Sequence, residues 1–127
     1  MKHLLDVSVL LAVIVESHSQ NAATQAWLKN KEIVLCPIAE LGFLRISSNP
    51  RVPGLGLDMN QARAGLEKFA AERRAEWIAD DLPALKSRPA RSEEVTDCYL
   101  ADLAAKHGLR LATLDGQIKH PSVELVS

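Results

Sequence analysis

Short apolar runs alternate with longer stretches of helical spacing along this chain. His3-Leu-Leu5 reads as a short buried strand that turns into a helix at Asp6 or Val7. A second helix is expected from about Ser19 to Asn30, with Ala22, Ala23, Ala26, Trp27 and Leu28 on its apolar side. Ile33-Val-Leu35 is the next strand, broken by Cys36-Pro37. Proline suits the first turn of a helix, and this one runs on through Ile46. Ser47 to Gly56 holds Pro50, Pro53, Gly54 and Gly56 and reads as a loop. Asp58 then caps a helix to about Glu72, where Ala62, Leu66 and Phe69 recur at helical spacing.

In the second half Glu76-Trp-Ile-Ala79 predicts a strand, and Asp80 to Ser92 a loop or irregular short helix. From Glu93 or Thr96 to His107 the spacing is helical again, with Leu100, Leu103, Ala104 and His107 on one stripe. Gly108 follows where a left-handed cap belongs. Arg110–Thr113 and Val123–Val126 supply the last two strands. Strands alternating with helices imply an α/β fold: a central, mainly parallel sheet sandwiched between helix layers. At 127 residues the chain reads as one domain, residues 1–127. A domain of that size buries about two-thirds of its unfolded surface.

Hydrophobic residues make up 47% and charged residues 24%, so the chain folds rather than staying disordered. Aromatics are only 4%, which leaves the core to Leu, Ile, Val and Ala. A net charge of −1 argues against a general nucleic-acid coat protein but not against local phosphate contacts. Arg45, Arg51, Arg73, Arg74, Lys86, Arg88 and Arg91 are candidates for such a rim. Cys36 and Cys98 show no CxxC and no secreted spacing, which fits reduced, buried thiols in the cytoplasm. Asp6 interrupts the N-terminal apolar stretch, and no small-residue cleavage pattern follows it, which disfavours a signal peptide. The charge-free run Val7–Val15 is too short to span a bilayer, so no membrane partner is expected.

Four acids stand at strand ends or in adjoining first helical turns: Asp6, Glu40, Asp97 and Asp115. Ligands of open α/β sheets bind in the crevice at the carboxyl ends of the strands. Four carboxylates meeting there repel one another unless a divalent cation holds them. Taken singly, each has a structural reading. Asp6 can be an N-cap, Asp97 can favour a helix dipole, and Asp115 can form a turn with Gly116. Glu40 is harder to dismiss, because apolar residues surround it on its helix and a buried ion needs a partner. Ser8 and Thr113 add hydroxyls beside Asp6 and Asp115, suited to hold carboxylates or metal-bound water. Asp102 lies about 140° around the helix from Asp97 and is assigned to solvent. Glu93 and Glu94 are read as ordinary acids at a helix start.

Rival chemistries find little support. His3, His18, His107 and His120 show no ligand spacing, so zinc is disfavoured. Ser8 has no G-x-S-x-G context, and no glycine-rich phosphate loop follows the first strand.

Four blocks carry a resemblance: Leu4-Leu-Asp6-Val-Ser-Val-Leu-Leu, Pro37-Ile-Ala-Glu40-Leu-Gly-Phe-Leu-Arg45, Val95-Thr-Asp97-Cys-Tyr-Leu-Ala and Leu111-Ala-Thr-Leu-Asp115. In order and spacing they resemble the acidic blocks of PIN-domain ribonucleases, and the overall size is similar to the VapC-type toxins of bacterial toxin–antitoxin pairs. The resemblance implies a PIN-like three-layer α/β/α sandwich and a Mg²⁺- or Mn²⁺-dependent endoribonuclease acting on RNA. It also implies a homodimer and a cognate antitoxin that blocks the acidic pocket. Carried over by position, Asp6 and Asp97 are metal ligands, Glu40 and Asp115 complete the quartet directly or through water, and Thr113 and Ser8 are the polar positions beside the first and last acids. Gly116-Gln117 departs from the basic residue that many relatives carry after the last acid. Two other readings stay open: a catalytically silent PIN-like module that binds RNA or protein, and a phosphoacceptor receiver-like domain. The latter lacks a paired acid beside Asp6 and a well-placed lysine.

Overall fold

In the computed structural model, which describes residues 1–52 and 54–126, five strands and five helices follow the predicted alternation. They run β1 (Lys2–Leu5), α1 (Val7–Ile14), α2 (Asn21–Leu28), β2 (Glu32–Leu35), α3 (Pro37–Ser47), α4 (Met59–Glu72), β3 (Glu76–Trp77), α5 (Val95–Lys106), β4 (Arg110–Thr113) and β5 (Val123–Leu125). Two 3₁₀ turns, Ala84–Lys86 and Ser92–Glu94, interrupt the connection to α5. Of the loop expected at 47–56, Pro53 lies outside the described residues.

All strand pairings are parallel, and the sheet order is β3-β2-β1-β4-β5. The three central strands are buried on both faces: His3, Leu4 and Leu5 in β1, Ile33 to Leu35 in β2, and Leu111 to Thr113 in β4. Such continuous apolar strands need helices on either side, and the expected α/β/α sandwich is what forms. The chain builds outward from β1 through β2 to β3, then returns to β4 on the other flank. The topological switch point therefore lies between β1 and β4, and the crevice at their carboxyl ends is the natural ligand site.

Local signals explain the boundaries. Asp58 and Gln61 form a reciprocal capping box that starts α4. Pro37 opens α3, whose first free N–H groups include that of Ile38, taken up by Asp80 Oδ2 at 3.1 Å. Gly108 has φ +68°, as expected for the residue that ends α5. Three expectations change. The second helix is shorter than Ser19–Asn30, and it buries Thr24 and Leu28 while Ala22, Ala23 and Ala26 face water. A stripe spaced i, i+4 suffices to dock so short a helix, and alanines offer little area to bury. β3 stops at Trp77 rather than Ala79, as suits an exposed edge strand. Cys36 is buried and its thiol pushed up to about 12 by burial, but Cys98 is only half-buried. Among the described residues no helix is long and apolar enough to cross a membrane.

Candidate active site

Asp6 leaves β1 at the switch point and is 2% exposed. Its Oδ1 accepts the Val9 N–H at 3.0 Å and the Ser8 hydroxyl at 2.6 Å, so it does cap α1. Ser8 Oγ in turn accepts the Leu114 N–H at 3.2 Å, which ties the start of α1 to the end of β4. Thr113, fully buried, accepts the Asp115 N–H on Oγ1 at 3.0 Å and also supports the Asp6 carboxylate. Burial drives the Asp6 pKa up, and the hydrogen bonds from Ser8, Thr113 and the Val9 N–H oppose it.

Asp97 is half-buried in the first turn of α5, the helix that leads into β4. Its pKa is pushed up to about 6, chiefly by burial and then by the negative charges of Asp6 and Asp115. Asp115 follows β4, is exposed, and folds its own turn by accepting the Gln117 N–H on Oδ1 at 2.9 Å. Asp6, Asp97 and Asp115, from three separate elements, thus lie near enough at the switch point for Asp97 to feel the other two charges, and Asp97 and Asp115 line one cavity. Among the described residues none of the three forms an ion pair with a basic side chain.

Glu40 is placed elsewhere. Its carboxylate accepts the Trp77 indole N–H at 2.8 Å and faces the groove between α3 and α4. The residues of α3 that look toward Asp97 are Ile38, Leu41, Gly42, Arg45 and Ile46, which line a cavity of about 390 Å³ with it. Glu40 is about 200° around the helix from Ile38, on the opposite side. The expected quartet is therefore a trio in this structure. Asp102 also differs from expectation: it is half-buried and bonded to His120 rather than free in solvent.

Asp97 also borders a second cavity, of about 180 Å³, lined with Asp115, Glu93, Arg91, Lys119 and His120 among others. Glu93, read from the sequence as a plain helix-start acid, lines both cavities. Its position four residues before Asp97 was the available signal, since i and i+4 share a face. Of the basic rim expected from the sequence, Arg45 and Arg91 border these cavities. Arg73 and Arg74 lie at the far end of α4, where Arg73 bonds the Leu28 carbonyl.

The donor chemistry fits a hard divalent cation: oxygen ligands only, from carboxylates whose protonation is favoured by mutual repulsion. Among the described residues no group of three His, Cys, Asp or Glu side chains is arranged to grip an ion alone.

The family profile described as PIN domain matches residues 3–123. Ribonuclease VapC38 of Mycobacterium tuberculosis (strain ATCC 25618 / H37Rv) is 31% identical over 91% of this chain and 86% of its own length. Ribonuclease VapC39 of the same organism is 33% identical over 93% of this chain and 91% of its own. A crystal structure of VapBC2 from Rickettsia felis, bound to a DNA fragment from their promoter, aligns over 100% of both chains with a TM-score of 0.67 at 17% identity, a likeness of fold. On the profile match and these full-length similarities, the chain belongs to the PIN-domain family.

Proposed function

We propose that this protein is a metal-dependent endoribonuclease acting as the toxin of a toxin–antitoxin pair. The observation that carries the metal site is the convergence of Asp6, Asp97 and Asp115 at the switch point, with the Asp97 pKa raised by its two acidic neighbours. The ribonuclease activity comes from the VapC relatives, which are named for it.

Asp6 and Asp97 would hold a Mg²⁺ or Mn²⁺ ion, and Asp115 would complete the pocket directly or through water. Such an ion, when bound, neutralises phosphate charge and makes water a better nucleophile. The chain's own residues supply the rest. Ser8 holds the Asp6 carboxylate, and with Thr113 it opposes the rise in pKa that burial causes. Asp97, on the wall between the two cavities, is placed where an RNA strand lying across them would bring its phosphate. Arg45 and Arg91, at the two sides, are suited to flanking phosphates. Attack by water leaves a 5′-phosphate and a 3′-hydroxyl, so mapping product ends from total RNA tests the chemistry. A 2′,3′-cyclic phosphate would contradict it.

The antitoxin partner, the homodimer and a cytoplasmic location belong to the same proposal. The structural neighbour is a VapBC pair, which supports a protein partner for this chain too. An antitoxin that inserts a basic side chain among Asp6, Asp97 and Asp115 would supply the positive charge this trio lacks. Co-expression with the product of a small neighbouring reading frame should relieve growth arrest, and light scattering of the purified chain reads its oligomeric state.

A further inference from the structure

The connection between β4 and β5 is unusual for parallel neighbours. Such strands are ordinarily joined by roughly a dozen residues or more, usually through a helix. Here residues 114–122 cross with no helix of their own, and this loop carries Asp115. Its near end is held from β4, where Thr113 takes the Asp115 N–H. Its far end is held by α5. His120 Nε2 lies 2.8 Å from Asp102 Oδ1, and the buried Ser122 hydroxyl donates to the Ala101 carbonyl at 2.8 Å.

The ring's proton can be assigned from this network. Ser122 N–H donates to His120 Nδ1 at 3.1 Å, so Nδ1 is the acceptor and Nε2–H points to Asp102. Both ring nitrogens are thereby engaged within the protein. The neighbouring Ser122 hydroxyl is buried, 2.8 Å from the Ala101 carbonyl and 3.0 Å from His120 Nδ1. A Ser–His–Asp sequence of contacts is present, but it works as a fastening.

The two ends of that fastening are significant. Asp102 is on the same helix as Asp97, and His120 is on the same loop as Asp115. His120, Asp97 and Asp115 line one cavity of about 180 Å³. We infer that the Asp102–His120 pair is a positioning device for the acidic pocket, anchoring the loop that carries Asp115 to the helix that carries Asp97. This rests on the proposal that the pocket holds a divalent cation. Partners that orient the carboxylates of such a site, without touching the ion, tune its affinity.

The test is a calorimetric titration of the full chain with Mn²⁺, with a thermal melt of each variant. Asp102→Ala and His120→Ala should each weaken Mn²⁺ binding roughly tenfold. The double variant should be no weaker than either single one, because both remove the same link. Asp102→Asn, which keeps an acceptor for Nε2–H, should recover most of the affinity. In RNA cleavage at fixed metal, kcat should fall while KM for RNA changes little. If an alanine variant melts below the assay temperature, His120→Asn, too short to reach Asp102, replaces it with the same expectation. Folded variants with wild-type Mn²⁺ affinity, or additive losses in the double variant, overturn the inference alone. A wild type that binds no Mn²⁺ overturns the metal site and the inference together.

Discussion

The Ser8 hydroxyl donates to Asp6 Oδ1 over 2.6 Å while accepting the Leu114 N–H over 3.2 Å, so one side chain joins the first carboxylate to the end of β4. Ser8→Ala should therefore act twice. A buried carboxylate loses a hydrogen bond and a backbone N–H loses its acceptor, a cost of about 1–3 kcal/mol. Denaturant unfolding reads that loss, and Mn²⁺ titration should show weaker binding from a less firmly held Asp6.

Asp97→Asn separates function from stability. It removes the charge that Asp6 and Asp115 oppose, so the metal-free protein should melt at or above the wild-type temperature. The stabilisation that Mn²⁺ gives the wild type should disappear, because less ion binds the native state. A variant that melts lower without metal and still gains from Mn²⁺ would contradict the site.

Proton linkage gives a sign that can be checked. The Asp97 pKa rises from 3.8 to about 6 on folding. Between those values the folded state holds more protons than the unfolded one, so metal-free stability should fall as pH rises from about 4 to about 6. The raised Asp6 acts in the same direction. Protons and cation compete for the same oxygens, so the melting shift produced by Mn²⁺ should grow from about pH 5 to about pH 7. A shift independent of pH would mean that the ion binds elsewhere.

Gly42 sets the approach of α3 to α1. A Cβ there would lie 2.6 Å from Val7 Cγ2, and a β-branched side chain has little freedom to turn away. Gly42→Ala should destabilise by about 1–3 kcal/mol. Because Val7 follows Asp6, the same variant should also weaken Mn²⁺ binding, which calorimetry reads.

Glu40 provides a contrast. Its carboxylate bonds the Trp77 indole on the far side of α3. Glu40→Gln keeps an acceptor for that indole and should leave Mn²⁺ affinity close to wild type. A loss comparable to that of Asp97→Asn would show that Glu40 turns toward the pocket when the ion binds.

The placement of three of the four candidate acids was legible in the sequence. Asp6 and Asp115 directly follow short apolar strands, and Asp97 opens a strongly patterned helix, so the fold class alone sends all three to one edge of the sheet. Glu40 stands apart from the other three acids for a reason of phase. Proximity to a strand end does not say which way a helical side chain points, and the face of α3 toward the site is set by Gly42 packing on Val7. The role of Asp102 was hidden because its partner is His120, on a loop with no periodicity to read. The alanines of α2 misled because composition marks a residue as apolar without saying how much area it can bury.

RNA cleavage by the purified chain, with Mg²⁺ or Mn²⁺ and with EDTA, beside Asp6→Ala and Asp97→Ala, tests the metal nuclease most directly. The wild type should cut RNA only with metal, and neither folded variant should cut. Cleavage that survives EDTA, or that persists in either variant, would contradict the assignment of Asp6 and Asp97 as the residues that hold the ion.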